Sequence, residues 1–172
     1  MSRCFTSAGS PAWSGQLWLG PVVVAAFLLI HLGLTTKRVQ EVGLLVTVGL
    51  FGFAVDTLQA SAGLYAFAHA SVPWLCPPWM VALWMLFAST LHGSMAWLAG
   101  RYRLAAALAA LCGPVSYVAG ARLGAIELSS YPLVSVAGIG TVWALVVPAL
   151  LVIRDALCTP TAGVQLRSAG VF

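Results

Sequence analysis

Two ionisable side chains inside long apolar stretches are the residues of this sequence best suited to chemistry. Asp56 lies in GLFGFAVDTLQASAG, and His92 lies in LWMLFASTLHGSMAWL. An aspartate and a histidine can act as general acid and base, and an ionisable group within hydrocarbon is by default a functional candidate because its burial is costly. Asp56 and His92 are therefore the candidate catalytic residues. The competing interpretation makes each a hydrogen-bonded packing residue between helices.

Five further side chains in the same and neighbouring apolar stretches are candidate binding residues. They are Trp84, Ser89, Ser116, Tyr117 and Arg122. Spacings of three and four residues place Ser89 and Ser116 on helix faces rich in small residues, which allow close helix packing in lipid. No HxxxH or HExxH pattern occurs, so no metal site is expected, and no motif identifies a cofactor.

Composition indicates what surrounds these side chains. Of 172 residues, 61% are hydrophobic and 7% are charged, whereas about a quarter of an ordinary soluble domain is charged. This composition predicts an all-α fold, a polytopic transmembrane helix bundle whose first partners are membrane lipids. The net charge of +4 comes from basic residues in ones and twos, so it indicates membrane topology and excludes a nucleic-acid partner.

The apolar stretches predict about five transmembrane helices, with four or six as alternatives, because a crossing needs about 20 residues. The spans cover about 13–34, 42–67, 79–99, 104–125 and 133–153. Between the second and third spans, HASVPWLCPP is a proline-rich loop. The predicted organisation is a polar amino-terminal segment at 1–12, one transmembrane domain at 13–153 and a polar tail at 154–172. The sequence leaves open whether Cys4 and Cys76 form a disulfide.

The basic residues predict the orientation of the bundle. Six of them lie after the first, third and fifth spans: Lys37, Arg38, Arg101, Arg103, Arg154 and Arg167. With five spans these places share one side, which the positive-inside rule makes cytoplasmic. The prediction is a multi-pass protein of the bacterial inner membrane, with its amino terminus outside and its carboxyl terminus in the cytoplasm.

Depth along ideal helices separates the candidates into two layers. At about 1.5 Å per residue from the cytoplasmic ends, Asp56 and Tyr117 lie ~20 Å up and Trp84 ~23 Å, whereas His92 lies ~10 Å up and His31 ~5 Å. Straight helices do not close the ~10 Å between Asp56 and His92. The expected upper layer contains Asp56, Trp84, Ser116 and Tyr117, and the lower layer contains His92 and His31.

Three long segments of the chain also carry a family resemblance. They are FGFAVDTLQASAGLYAF, PPWMVALWMLFASTLHGSMAWLAGR and AALCGPVSYVAGARLGAIEL, whose most specific elements are Asp56, LWMLFASTLH (83–92) and GPVSYVAGARLGA (113–125). From about Leu17 to Arg154 the chain resembles a family of small bacterial multi-pass membrane proteins catalogued only as a domain of unknown function. The resemblance implies an inner-membrane component without assigned catalytic residues, often encoded near fatty-acyl-modifying enzymes.

Two functions of different classes follow from these observations. The first is an accessory or binding component of a membrane-lipid-related system, whose intramembrane polar residues mainly hold the bundle together. The second is an intramembrane enzyme or small carrier that acts on a lipid or acyl substrate through Asp56 and His92. A cavity common to both residues would favour the second function, and separate capping favours the first. The sequence leaves open whether the protein is an enzyme, whether it has a membrane-protein partner and whether it forms a homo-oligomer.

Overall fold

The computed structural model describes residues 16–68 and 70–158, with side chains from residue 22 to residue 157. In chain order its elements are α1 (Gln16–Leu34), α2 (Arg38–Ser61), β1 (Tyr65–Phe67), α3 (Pro78–Thr90), a 3₁₀ turn (Ala96–Leu98), α4 (Tyr102–Arg122), β2 (Ile126–Leu128) and α5 (Pro132–Cys158). The predicted polar segment at 1–12, Cys4, and the tail beyond residue 158 lie outside the described residues.

Five helices make up most of the described chain, as the apolar stretches predict. Three of the described helices are long and apolar enough to cross a membrane, namely Arg38–Ser61, Tyr102–Arg122 and Pro132–Leu157, while Val22–Leu34 and Pro78–Thr90 are shorter apolar helices. The chain is therefore mostly helical, with a composition and helix lengths that suit a membrane protein.

The second helix begins and ends earlier than its predicted span of 42–67. It begins at Arg38, which brings Glu41 into the first turn. It ends at Ser61 because Gly63 adopts a left-handed conformation with φ 75°. The amide of Leu64 then donates to the carbonyl of Gln59 at 3.2 Å, a capping arrangement that glycine favours because it lacks a Cβ.

The third helix is also shorter than its predicted span of 79–99. It ends at Thr90, and turns and the 3₁₀ segment continue toward α4. The hydroxyls of Ser89 and Thr90 donate to the carbonyls of Leu86 and Phe87, at 2.7 and 2.6 Å. Such local bonds compete with regular helix hydrogen bonding, which accounts for the early end. His92 therefore lies in the turn after α3 and not within a helix.

Two short strands are an addition to the predicted all-α fold. β1 and β2 form an antiparallel pair in which Tyr65 lies opposite Leu128 and Phe67 lies opposite Ile126. The two strands join one end of the bundle, where α2 and α4 end and where α3 and α5 begin. They hold the loop regions of that end together.

An internal repeat relates the hairpin α2–α3 to the hairpin α4–α5. In three equivalent pairs the two members lie 61 residues apart in the chain. These pairs are Asp56 and Tyr117, Gly52 and Gly113, and Gly63 and Gly124. Exchange of the two strands leaves their register unchanged, because Ala66 pairs with Glu127 at the centre. Both hairpins also run in the same direction, so the correspondences indicate approximate two-fold symmetry along the bundle axis.

The packing of the described helices departs from this symmetry in one place. Within each hairpin the two helices pack closely along each other, and α2 also packs against α5. The symmetry-related contact, between α4 and α3, is almost missing in the described residues. A gap therefore lies between α3 and α4, while α1 packs against α3 and α2 as an additional helix.

Candidate binding site at the repeat interface

The carboxyl group of Asp56 is the centre of the interface between the two hairpins. Asp56 has no solvent exposure. Its Oδ1 accepts hydrogen bonds from the hydroxyl of Tyr65 at 2.8 Å and from the hydroxyl of Tyr117, and its Oδ2 accepts one from the indole N–H of Trp84 at 2.7 Å. The side-chain amide of Gln59 lies 3.5 Å from Oδ1. A carboxylate accepts about four hydrogen bonds, so the capacity of Asp56 is used within the protein.

Two glycines allow the tryptophans to reach the centre. A Cβ on Gly52 would lie 2.1 Å from the ring of Trp84, and a Cβ on Gly113 would lie 2.5 Å from the ring of Trp143. The two indole rings stack on each other, with centroids 5.1 Å apart and an angle of 11° between the planes. The deep positions of both tryptophans are thus explained by packing at the repeat interface.

Tyr65, from strand β1, is a hydrogen-bond donor that stays neutral. Burial raises the pKa of its phenol far above the ordinary value, and the Tyr117 phenol and the Asp56 carboxyl group raise it further. Because the phenol keeps its proton, Tyr65 can donate to Asp56 at any pH at which the protein is folded. The strand pair is therefore tied directly to the centre.

A second polar cluster forms at the opposite end of α2, around Glu41. This carboxylate is nearly buried and accepts from both neighbouring histidines, with Oε1 2.8 Å from His31 Nε2 and Oε2 2.9 Å from His92 Nδ1. The cluster joins the end of α1, the start of α2 and the turn after α3. The structure thus brings His31 and His92 together, as expected for a lower layer, through Glu41, which lies just before the predicted second span.

Asp56 and His92 belong to these two separate clusters and have different partners. All hydrogen bonds of the Asp56 carboxyl group are made to the interface between the hairpins, whereas His92 bonds Glu41. The geometry therefore gives no direct acid–base pair between them. Asp56 is enclosed by its donors, whereas His92 lies in the turn after α3 with 32% of its side chain exposed.

The five predicted binding residues lie in different parts of the structure. Trp84 and Tyr117 contact Asp56, as described above. Ser89 is buried with its hydroxyl bonded to its own helix, and Ser116 donates to the carbonyl of Cys112 at 2.9 Å. Arg122 is exposed at the end of α4. The structure thus unites two of the five candidates at Asp56.

The gap between α3 and α4 forms an apolar crevice of about 360 Å³ beside the Asp56 centre. Its lining residues are Trp79, Met80, Leu83, Trp84, Phe87, Ser116, Tyr117, Gly120, Leu123, Ala125, Ile126 and Trp143. None of them is charged. Leu83 and Leu123 at its rim are 44% and 83% exposed, so the crevice opens sideways, toward the surroundings of the bundle.

A buried arginine lies at the end of the bundle that carries the Glu41 cluster. The guanidinium of Arg154 donates to the carbonyl of Leu91 at 2.9 Å and to Asp155 Oδ1 at 2.6 Å. The sequence analysis treated Arg154 only as a topology signal. The contact with Leu91 shows that Arg154 also ties α5 to the end of α3.

Sequence reasoning missed four residues of these clusters, and two of the four carry a signal in the sequence. Glu41 continues the buried face of α2 at three- and four-residue spacing through Leu45 and Val48 to Gly52 and Asp56. Trp143 faces Gly113 as Trp84 faces Gly52, and the equal spacing of these glycines in the two regions is visible in the sequence. No sequence pattern indicates Tyr65. No sequence pattern indicates Arg154 as a buried residue.

No metal site is found among residues 16–68 and 70–158. No group of three or more His, Cys, Asp or Glu side chains in this part of the chain is arranged to hold a metal ion. Glu41 bonds both His31 and His92, through its two different oxygens, and these three side chains do not form such a group. The sequence prediction of no metal site stays a prediction for the whole chain.

The fold and site define a class, that of mostly helical proteins with helices long and apolar enough to cross a membrane and a buried aspartate at an interface between two hairpins. The chain belongs to the family described as "Protein of unknown function (DUF2878)", whose model matches residues 10–149. This membership confirms the family resemblance of the sequence. No curated protein and no solved structure matches the chain significantly.

Proposed function

We propose that the protein is a polytopic helix bundle of the bacterial inner membrane and an accessory or binding component of a membrane-lipid-related system. Three apolar helices of spanning length and two shorter apolar helices support the membrane assignment. The low content of charged residues supports it as well, because a soluble domain needs a charged surface.

The described basic residues support an orientation with the amino terminus outside and the carboxyl terminus in the cytoplasm. Lys37, Arg38, Arg101, Arg103 and Arg154 lie at the end of the bundle that carries the Glu41 cluster. Arg122 lies at the end that carries the strands. The positive-inside rule makes the first end cytoplasmic.

The crevice between α3 and α4 is the observation that carries the lipid-related role. It is apolar, uncharged and open sideways, in the part of the bundle that the membrane assignment places in hydrocarbon. A pocket of this kind, with a polar centre behind one wall, suits an apolar ligand drawn from the bilayer. The protein would bind such a ligand for other components of the system.

The alternative function is an intramembrane enzyme or carrier acting on a lipid or acyl substrate through Asp56 and His92. It has less support, because Asp56 is enclosed by its own donors and His92 bonds Glu41 in a different cluster. A reaction at Asp56 would require the hydrogen bonds from Tyr65, Tyr117 or Trp84 to open.

A lipid profile tests the proposed role. Cells lacking the gene are compared with cells that carry the wild-type gene, and we expect the composition of membrane lipids or acyl chains to differ. Unchanged lipids under conditions in which the protein is expressed would contradict the proposal.

Two complementing variants separate the proposed role from the alternative. Asp56→Asn and His92→Gln are compared at equal amounts of membrane-inserted, folded protein. If the residues are structural, folded protein of either variant restores the lipid profile of the wild type. Loss of restoration with normal folding and amount would support the enzyme.

A further inference from the structure

We propose that the crevice between α3 and α4 holds one acyl chain of a phospholipid from the outer leaflet. This inference rests on the proposed function, which places α3 and α4 in the bilayer, and it names the ligand of the crevice. The chain enters sideways between Leu83 and Leu123 at the rim, and its inner side contacts the stacked rings of Trp84 and Trp143.

The chemistry of the lining favours hydrocarbon. No lining residue is charged, and the polar groups of three of them are already bonded within the protein. The indole N–H of Trp84 and the hydroxyl of Tyr117 donate to Asp56, and the hydroxyl of Ser116 donates to the carbonyl of Cys112. These three side chains therefore present ring faces and carbon atoms, which suit a saturated or unsaturated chain rather than a polar headgroup.

The position of the crevice corresponds to one leaflet. On α3 it extends from Trp79 to Phe87, which is ~12 Å of helix axis, and half of a hydrocarbon core of about 30 Å is ~15 Å. It lies in the half of the bundle that carries the strands and ends beneath β2 at Ile126. The basic residues place that half toward the outside.

The crevice is narrow as well as apolar. Its volume is about 360 Å³ along ~12 Å of helix axis, and a flexible hydrocarbon chain can follow the irregular space between its side chains. The outer rim, with Leu123 83% exposed, is open to such a chain from the bilayer.

The internal repeat adds an independent argument, because the equivalent gap is closed. In the described residues α2 packs against α5, whereas α4 and α3 hardly touch. Close packing is the norm in protein interiors, and a gap that borders lipid is filled by lipid. Helix packing thus closes the α2–α5 side of the bundle, whereas the equivalent α3–α4 side leaves room for an acyl chain.

Photocrosslinking in nanodiscs tests the inference with the full-length protein. The discs contain phosphatidylcholine that carries a diazirine in the middle of one acyl chain, and crosslinked residues are identified by peptide mass spectrometry. We expect crosslinks to concentrate on Leu83, Phe87 and Ser116. Leu58 and Val134 are 68% and 61% exposed in the same half of the bundle, and they report ordinary lipid contact.

A filled crevice provides the decisive comparison. A Cβ on Gly120 makes ordinary contact with Ile126 at 3.8 Å, so Gly120→Leu is accommodated by the backbone and its side chain occupies the crevice. We expect crosslinking at Leu83 and Phe87 to be lost in Gly120→Leu and unchanged at Leu58. The matched control is Val115→Phe, which adds bulk to α4 at a residue 68% exposed outside the crevice.

Ser116→Leu is a second variant that fills the crevice from another position, in case Gly120→Leu fails to fold. Crosslinks in the wild-type protein that are spread evenly over all exposed residues would overturn the inference, as would crosslinks at Leu83 that survive in a folded, filled variant. These results are independent of the lipid profile of cells. An altered profile without crevice crosslinks would therefore refute the inference and leave the proposed function in place.

Discussion

Among the single residues, Asp56 is buried and its carboxyl group is hydrogen-bonded within the protein. Its donors come from three different elements, since Trp84 belongs to α3, Tyr65 to β1 and Tyr117 to α4. A buried polar group costs free energy unless it is bonded, and a set of bonds from several elements fixes their relative positions. The centre thus specifies how the two hairpins meet.

We expect Asp56→Asn to destabilise the protein. The amide keeps one acceptor oxygen but presents an N–H₂ donor to side chains that are themselves donors. An unsatisfied buried group of this kind costs about 1–3 kcal/mol. Chemical or thermal unfolding in detergent micelles measures the loss. Glu127→Gln, at an exposed position of strand β2, is the matched control and leaves stability unchanged. Equal stability of the two variants would contradict a bonding role for Asp56.

A second prediction concerns Cys76, whose thiol is buried at the start of α3. Burial raises the pKa of this thiol to about 12, and the charge of Asp56 contributes in the same direction. The thiolate is the reactive form, so at pH 8 Cys76 is far less reactive than an ordinary thiol. We expect alkylation of Cys76 only after unfolding, read by peptide mass spectrometry. Ser71→Cys, an exposed position of the same loop, is the control that reacts in the folded protein.

At the scale of elements, helix pairs meet where a glycine faces a tryptophan. Helical spacing puts Gly49, Gly52 and Asp56 on one small face of α2, and the structure places this face against α3. Spacing gave no partner for the face, because which helix packs on it depends on contacts between distant parts of the chain. The ends of α2 and α3 were also placed too late, since Gly63 and local bonds of Ser89 and Thr90 stop the helices inside apolar stretches.

A glycine substitution tests the packing between α2 and α3. In Gly52→Ala the new Cβ would lie 2.1 Å from the Trp84 ring, so the ring must move and its bond to Asp56 is lost. We expect a loss of stability of at least about 1–3 kcal/mol, typical of overpacking. Unfolding in micelles and the fluorescence of the tryptophans measure it.

Gly43→Ala is the control on the same helix. No atom lies within 4 Å of a Cβ at Gly43, so alanine fits and slightly favours the helix, by up to about 1 kcal/mol. If Gly52→Ala were as stable as Gly43→Ala, the close approach of Trp84 to α2 would not occur in the protein.

For the whole molecule, the composition and the lengths of the apolar stretches predicted a helix bundle, whereas the two strands were not predicted. The strands have three residues each, YAF and IEL, and were included in or next to predicted spans. Segments of three residues are too short to show an alternation of polar and apolar residues as a pattern, and these two pair across distant parts of the chain. The repeat itself is visible in the sequence as glycines and polar residues spaced equally in two regions, 61 residues apart.

The orientation of the bundle is the last prediction, and it follows from the two ends just described. We expect the end with Lys37, Arg38, Arg101, Arg103 and Arg154 to face the cytoplasm and the end with the strands to face outward. We replace the native cysteines and introduce Thr36→Cys in the connection between α1 and α2, or Ser130→Cys after β2; both positions are exposed.

A membrane-impermeant maleimide applied to spheroplasts labels only cysteines on the outer side. We expect Ser130→Cys to be labelled at once and Thr36→Cys only after the membrane is permeabilised, which checks that its thiol is reactive. The opposite pattern would invert the bundle, place the crevice in the inner leaflet and move the Glu41 cluster to the outer face. Labelling of both positions before permeabilisation would mean that α2 to α5 do not cross the membrane as paired hairpins.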